Sequence, residues 1–275
     1  MRPIQHIYRQ LDEDKSILYS WFAAMNTRID LILCNRTETE LKSISGLIYD
    51  EIKTLENIAN YFDSGSELSN VNLTASSQAL TISSDLFSMI WQCVDFNKLA
   101  LGCFDIAIRS DNYNRESISA VTLDIDNSTV YFQQEGIKLD LSGYVKGYAL
   151  ESARNIIDRY HISDALVNLG NSSVMAKGRH PYGEGWKVGI DFPSLSSDNN
   201  IMLENQCLTI SGNNTAERKH IISPYTREYI EGLNGIAVVT PKATHGEALS
   251  TALFVATAEQ RKNIMQNFEA KVYYI

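Results

Sequence analysis

The stretch Leu139-Asp140-Leu141-Ser142-Gly143-Tyr144-Val145-Lys146-Gly147-Tyr148-Ala149 decides how the rest of the chain is read. Short alternating segments from about Thr122 to Leu141 predict a β-meander whose last strand delivers Asp140, and Ser142 and Gly143 then predict a turn. Directly after it, Val145, Ala149, Ala153, Ile156 and Ile157 repeat at helical spacing, which predicts a helix from Tyr144 to Tyr160 with Lys146 in its first turns. Small residues let a ligand approach the backbone, a helix N-terminus offers N–H groups, and a lysine adds a compact positive charge. That combination suits a phosphate. The same residues also describe an ordinary strand–turn–helix with a solvated lysine, and the segment alone favours that ordinary reading.

Working outward toward the N-terminus, residues 16–34 read as largely extended, with Ile29, Leu31 and Leu33 alternating on one face. Thr37 and Glu40 form a capping-box pattern that opens a long helix, whose stripe of Leu41, Ile44, Leu47, Ile48, Ile52, Leu55 and Ile58 is core. The turn Asp63-Ser64-Gly65-Ser66 ends it, and a second helix is expected from about Ser84 to Gly102, with the glycine just past its end. Toward the C-terminus, strands are expected at Ala165–Leu169, Trp186–Ile190, Cys207–Ile210, Ile236–Val239 and Lys271–Ile275, with helices at Glu247–Ala256 and near Ala258–Phe268. The fold class is α+β, with mixed or antiparallel sheets and packed helices. The loop clusters 109–119 and 194–200 are too short for interdomain linkers, so residues 1–275 are expected to form one compact domain.

Composition limits the function classes. The 275 residues are 44 % hydrophobic and 21 % charged, ordinary values for a globular protein with a full core. A net charge of −9 argues against a nucleic-acid partner, which needs a concentrated basic face. Cys34, Cys93, Cys103 and Cys207 form no zinc-like spacing and are expected to be reduced, mostly buried thiols. No segment reaches membrane-spanning length, and the first residues carry no export signal or lipobox, so the sequence as written predicts a cytoplasmic protein.

Two further groups carry chemistry. Ser211-Gly212-Asn213-Asn214-Thr215 precedes His220-Ile221-Ile222-Ser223-Pro224, where His220 is suited to act as acid, base or phosphate ligand, although a lone histidine beside isoleucines is more often structural. In Gly246-Glu247-Ala248-Leu249-Ser250-Thr251, Glu247 and Thr251 stand at i and i+4 on one face at the expected N-terminal end of a helix. A carboxylate and a hydroxyl there suit a hard cation such as Mg²⁺. A glutamate at a helix start also stabilises the helix dipole, and taken alone the motif reads that way first.

Taken in order, these groups resemble one family, the FAD:protein FMN transferases (ApbE-like). Its Met-Gly-Thr, Ser-Glu-Leu before Asn, and Gly-x-Phe-Asp motifs are similar to Met25-Asn26-Thr27, Ser66-Glu67-Leu68 with Asn72, and Gly102-Cys103-Phe104-Asp105. Its Asp-Leu-Gly-Gly-Ile-Ala-Lys-Gly-Tyr-Ala, Val-Asn-Xaa-Gly-Gly and Ser-Gly motifs are similar to Asp140–Ala149, Val167–Gly170 and Ser211-Gly212. Its His-Ile-Ile-Asp-Pro and Ala-Asp-Ala-Leu-Ser-Thr-Ala motifs are similar to His220–Pro224 and Gly246–Ala252, and the match covers about residues 20–275. The resemblance implies a site for FAD as substrate, with Mg²⁺, in which FMN passes to a threonine of an acceptor protein. It implies that Met25, Phe62, Cys103, Phe104, Asp105, Asp140, Lys146 and Ile222 line the FAD. Gly143, through its carbonyl, with Glu247 and Thr251 would hold the metal, and His220 and Glu247 would carry the catalysis. Family members usually act outside the cytoplasm, in tension with the compartment expected from the first residues.

The chain departs from the family at sensitive places. Glu247 replaces an aspartate, Ser223 replaces the aspartate of His-Ile-Ile-Asp-Pro, and Thr226-Arg227 replaces Thr-Gly. Ile106-Ala107-Ile108-Arg109-Ser110 stands where the family has Pro-Thr-Val-Gly-Pro, and Asn26 and Asn171 stand where it has glycines. These changes bear on activity more than on fold. They leave two alternatives to transfer: a pyrophosphatase giving FMN and AMP, and a catalytically degenerate flavin- or nucleotide-binding protein.

Overall fold

The computed structural model describes residues 3–190, 200–213, 220–232 and 234–275. All but Asn200 of the expected 194–200 loop, and Asn214 and Thr215 of the polar turn, lie outside these residues. In chain order the elements are β1 (Gln5–Gln10), β2 (Ser16–Ala24), β3 (Thr27–Cys34), α1 (Glu38–Ala59), α2 (Glu67–Thr74), β4 (Leu80–Thr81), α3 (Ser84–Leu99), β5 (Val121–Asp124) and β6 (Thr129–Phe132). There follow α4 (Val145–Arg159), β7 (Ala165–Leu169), β8 (Ser173–Lys177), β9 (Trp186–Gly189), β10 (Asn200–Leu203), β11 (Cys207–Gly212), β12 (Gly235–Thr240), α5 (Ala243–Val255), α6 (Ala258–Met265) and β13 (Lys271–Tyr274). The class is α+β, as the sequence predicts. No described helix is long and apolar enough to cross a membrane.

Among the described residues, eight strands form one sheet in the order β1-β2-β3-β7-β8-β11-β12-β13, antiparallel at every step. Alternation sends Leu18, Ile29, Leu31, Leu33, Val167 and Leu169 to the face covered by α1, α4 and α5, where the main core sits. On the other face, Val174, Ala176, Leu208 and Val239 pack with Trp186 and Leu203 of the β9–β10 ribbon. A third sheet, β4-β6-β5, adds Val121, Val130 and Phe132 to the main core. All four cysteines are buried free thiols.

Turn chemistry brings one end of the large sheet to the site. Met25 and Asn26 link β2 to β3 with φ of 51° and 54°, a two-residue hairpin of the primed type. Gly170 and Asn171, at φ 65° and 58°, begin the turn between β7 and β8, and the Gly170 N–H donates to Arg28 O at 3.0 Å. A Cβ on Gly170 would collide with the Thr27 hydroxyl, so these two turns touch through the glycine. Opposite them α1 opens on the predicted capping box, Thr37 accepting from the Glu40 N–H and Glu40 reaching back to the Thr37 N–H.

Several sequence expectations are corrected. The meander ends at Phe132, and 137–141 is an extended connection rather than a strand. Its ladder partner is a side chain: Asn72 donates to Leu139 O at 2.9 Å and accepts from the Leu139 N–H at 2.8 Å, while the Asp140 N–H donates to Ile106 O. The eight-residue α2 lies before α3 and buries only Leu68 and Val71, too short a stripe to be read as periodic. α3 stops at Leu99, and the residue next after its cap that turns left-handed is Leu101 (φ 54°), with N–H groups of Leu101 and Gly102 returning to Lys98 O and Asn97 O in a Schellman pattern. α5 begins at Ala243, four residues before the expected start, because Glu151 accepts the Ala243 N–H at 2.6 Å. Glu247 therefore sits in the second turn, away from the helix terminus.

Candidate functional site

The Ser142–Gly143 turn is fixed from both sides. Asp140 Oδ1 accepts the Ser142 N–H at 2.9 Å, and Tyr144, fully buried, donates its hydroxyl to Gln92 Oε1 at 2.8 Å and so pins the start of α4 to α3. Three compartments meet at Ser142.

The first compartment, of about 100 Å³, lies between the 103–109 loop and the 220–224 segment. Cys103, Phe104, Asp105 and Asp140 wall one side, and His220 and Ile222 the other, with Gly143 and Thr251 at its base. Asp105 accepts from the Ala107 N–H at 2.8 Å and from the Tyr113 hydroxyl at 2.9 Å, and burial pushes its carboxyl up to about 6 against the pull of those two donors. Burial also raises the Cys103 thiol, which lies 3.3 Å from Tyr225 Oη.

The second compartment, of about 260 Å³, is the aromatic one. Met25, Tyr61, Phe62 and Lys146 line it, and the Met25 N–H is held by Glu56 Oε1 at 2.6 Å. Tyr61 and Phe62 meet edge to face at 5.2 Å, and Phe62 remains 73 % exposed, an apolar ring facing an open cleft.

The third compartment, of about 270 Å³, is polar. Gly143, Lys146, His220, Glu247 and Thr251 all border it. Glu247 is 7 % exposed and accepts from the Ser173 hydroxyl at 2.5 Å. Burial pushes its carboxyl up to about 7, opposed by the Ser173 hydrogen bond and by the charge of Lys146. Lys146 Nζ donates to Ser172 Oγ at 3.0 Å, and Thr251 Oγ1 lies 3.3 Å from Ser211 Oγ.

Every site residue named from the sequence thus borders this cleft. The residues that sequence reasoning missed are Ser142, Ser173, Arg109, Tyr61 and Tyr113. Ser142 lay inside the quoted motif, and Ser173 was hidden because β8 gives no alternating signal, four of its five residues being buried. Asp105 also has a consequence for stability. Its folded proton affinity exceeds its ordinary value of 3.8, so stability from this group is full at low pH and is lost as pH rises from about 4 to about 6. Asp105→Asn retains an acceptor for Ala107 and a partner for Tyr113 without the buried charge. Its stability relative to the unmodified protein should rise by about 2–3 kcal/mol between pH 4 and pH 7. Urea denaturation of both proteins across that range measures the difference, and a flat difference would refute it.

The profile of the ApbE family matches residues 25–275. An FAD:protein FMN transferase of Klebsiella pneumoniae (strain 342) is 24 % identical over 92 % of this chain and 90 % of its own length. One from Chlamydia muridarum is 23 % identical over 78 % of this chain and 75 % of its own length. The crystal structure of the ApbE protein from Thermotoga maritima superposes with a TM-score of 0.80 at 22 % identity, covering 94 % of each chain, a likeness of fold.

Proposed function

The chain belongs to the ApbE family, and on that footing we propose that it is an FAD:protein FMN transferase that cleaves FAD and passes FMN to a threonine hydroxyl of an acceptor protein, its residues 1–275 acting as one flavin-binding domain. The reading is carried by one observation: an aromatic compartment, a polar one with a lysine and a buried carboxyl, and a third bearing a histidine converge on the single turn Ser142–Gly143. A dinucleotide has matching parts, two flat rings joined by a pyrophosphate.

In this reading Met25 and Phe62 take a ring, and Lys146 meets the pyrophosphate. Phe104, Asp105, Asp140 and Ile222 wall the remainder, with the Cys103 thiol beside them. The acceptor hydroxyl oxygen attacks the phosphorus of the FMN half, the bond from that phosphorus to the bridging oxygen breaks, and AMP leaves with that oxygen. His220, open to the cleft and bordering both the first and third compartments, takes the hydroxyl proton.

A divalent cation fits the donor set. Among the described residues no three His, Cys, Asp or Glu side chains cluster to hold a metal, so any site here is mixed. The Gly143 carbonyl, Glu247 carboxylate and Thr251 hydroxyl border one cavity and are all hard oxygen donors, the set that Mg²⁺ takes alongside phosphate oxygens. Bound there, Mg²⁺ neutralises charge on the pyrophosphate.

The test is incubation with FAD, Mg²⁺ and a panel of acceptor proteins, resolved under denaturing conditions and read by flavin fluorescence. A fluorescent acceptor is expected, absent without Mg²⁺ and reduced at least ~100-fold with His220→Ala, the scale of a lost general base. AMP release with no labelled acceptor would replace transfer by hydrolysis. Flavin binding with no AMP would replace both by binding without turnover.

A further inference from the structure

Arg109 stands where the family motif carries a glycine, and its side chain enters the cleft. Its Nε donates to Asp140 Oδ2 at 2.6 Å, and Tyr229 takes a second hydrogen bond. Its guanidinium carbon lies over both aromatic rings, 5.3 Å from the centroid of Tyr61 and 5.9 Å from that of Phe62, and because the two rings stand at 86° to each other only the exposed Phe62 face is left as a shelf. A guanidinium has five N–H groups in a rigid plane, so these partners leave donors along its edge.

Two roles are open to such a residue, and energetics separate them. As a plug it would swing away when a ring arrives. Asp140 is only 8 % exposed and also holds the Ser142 N–H, so withdrawing Arg109 would leave a buried carboxylate without its charge partner. Arg109 therefore stays in place as a fixed wall, and a ring laid on the rest of the Phe62 face meets its edge.

We propose that Arg109 is a specificity-determining residue of this chain, donating the N–H groups not taken by Asp140 and Tyr229 to acceptor atoms on the edge of a planar heteroaromatic ring stacked on the exposed face of Phe62. The proposal rests on the flavin dinucleotide reading above. The ring chemistry, flat with in-plane nitrogen or carbonyl acceptors, is shared by the two ends of FAD, and the test separates them.

The experiment measures affinities of FMN, AMP and inorganic pyrophosphate, each with Mg²⁺, by calorimetry for the unmodified protein and two variants. Arg109→Lys keeps the charge for Asp140 and loses the planar fork. Arg109→Leu combined with Asp140→Asn removes the donors without orphaning a charge, which guards against a folding defect. In both variants one ring-bearing ligand is expected to lose at least ~10-fold in affinity, while the other and pyrophosphate stay within about 2-fold for Arg109→Lys. The ligand that weakens identifies the ring on the shelf. Unchanged affinities for all three would overturn the proposal, as would a parallel loss for all three, since Arg109 would then act only by holding Asp140 and the Ser142 turn. An unmodified protein that binds neither FMN, AMP nor FAD would overturn the dinucleotide reading itself, a result distinct from failure of Arg109 alone.

Discussion

With an acceptor protein present, Glu247→Ala is expected to lower Mg²⁺-dependent AMP release from FAD by at least ~100-fold, a loss of about 2.7 kcal/mol of transition-state stabilisation. Glu247 is the acidic side chain bordering the polar compartment among the described residues, so nothing nearby replaces its oxygen. The fold should survive. The variant removes a carboxyl that burial already pushes up to about 7, and this gain offsets the loss of the Ser173 hydrogen bond. Glu247→Asp restores the family's residue and is expected to stay within about 10-fold of the unmodified rate, since an oxygen ligand is kept at a shorter reach. AMP quantified over time, with a thermal melt of each variant, checks both statements. Full activity in Glu247→Ala would remove Glu247 from the chemistry.

Gly147→Ala should act on fold and site together. An added Cβ would sit 2.6 Å from Glu247 Cγ and 2.8 Å from Ala243 O, where α4 crosses α5. The carbonyl is helix backbone and cannot step aside, so the helices must part. Overpacking of this kind costs about 1–3 kcal/mol and occasionally more. The displaced atom belongs to the carboxyl-bearing side chain, so AMP release should also fall, by about 10-fold or more on the scale of a misplaced catalytic group. Chemical denaturation and the same AMP assay read the two effects. A stability within 0.5 kcal/mol of the unmodified protein would contradict the packing argument.

How much of this was legible in the sequence follows from which forces act locally. The stripe of α1 and its Thr37–Glu40 capping box were readable because both are set within a few residues. So was β7, whose bounds Ala165–Leu169 match the alternation of its side chains. Asp140 was placed correctly and its strand was not, because the pairing comes from the side chain of Asn72, distant in sequence and invisible to periodicity.

The departures from the family motif also divide on physical grounds. Asn26, Asn171 and Arg227 replace glycines at φ of 54°, 58° and 62°. Asparagine tolerates this left-handed backbone, so two of the exchanges preserve the turn. Arg227 adds a contact as well, donating to Ser110 O at 3.0 Å and tying the 221–230 hairpin to the loop that carries Asp105. Arg109 fits neither pattern, and no local rule predicts the partners it finds in Asp140, Tyr61 and Phe62.

The measurement that tests the central claim most directly follows flavin fluorescence and AMP release in one sample as FAD is added to the purified protein and an acceptor protein, with and without Mg²⁺. The account predicts saturable FAD binding and AMP that appears only with Mg²⁺ and in step with flavin on the acceptor. Saturable binding with no AMP at any Mg²⁺ concentration, or no FAD binding at all, would contradict it.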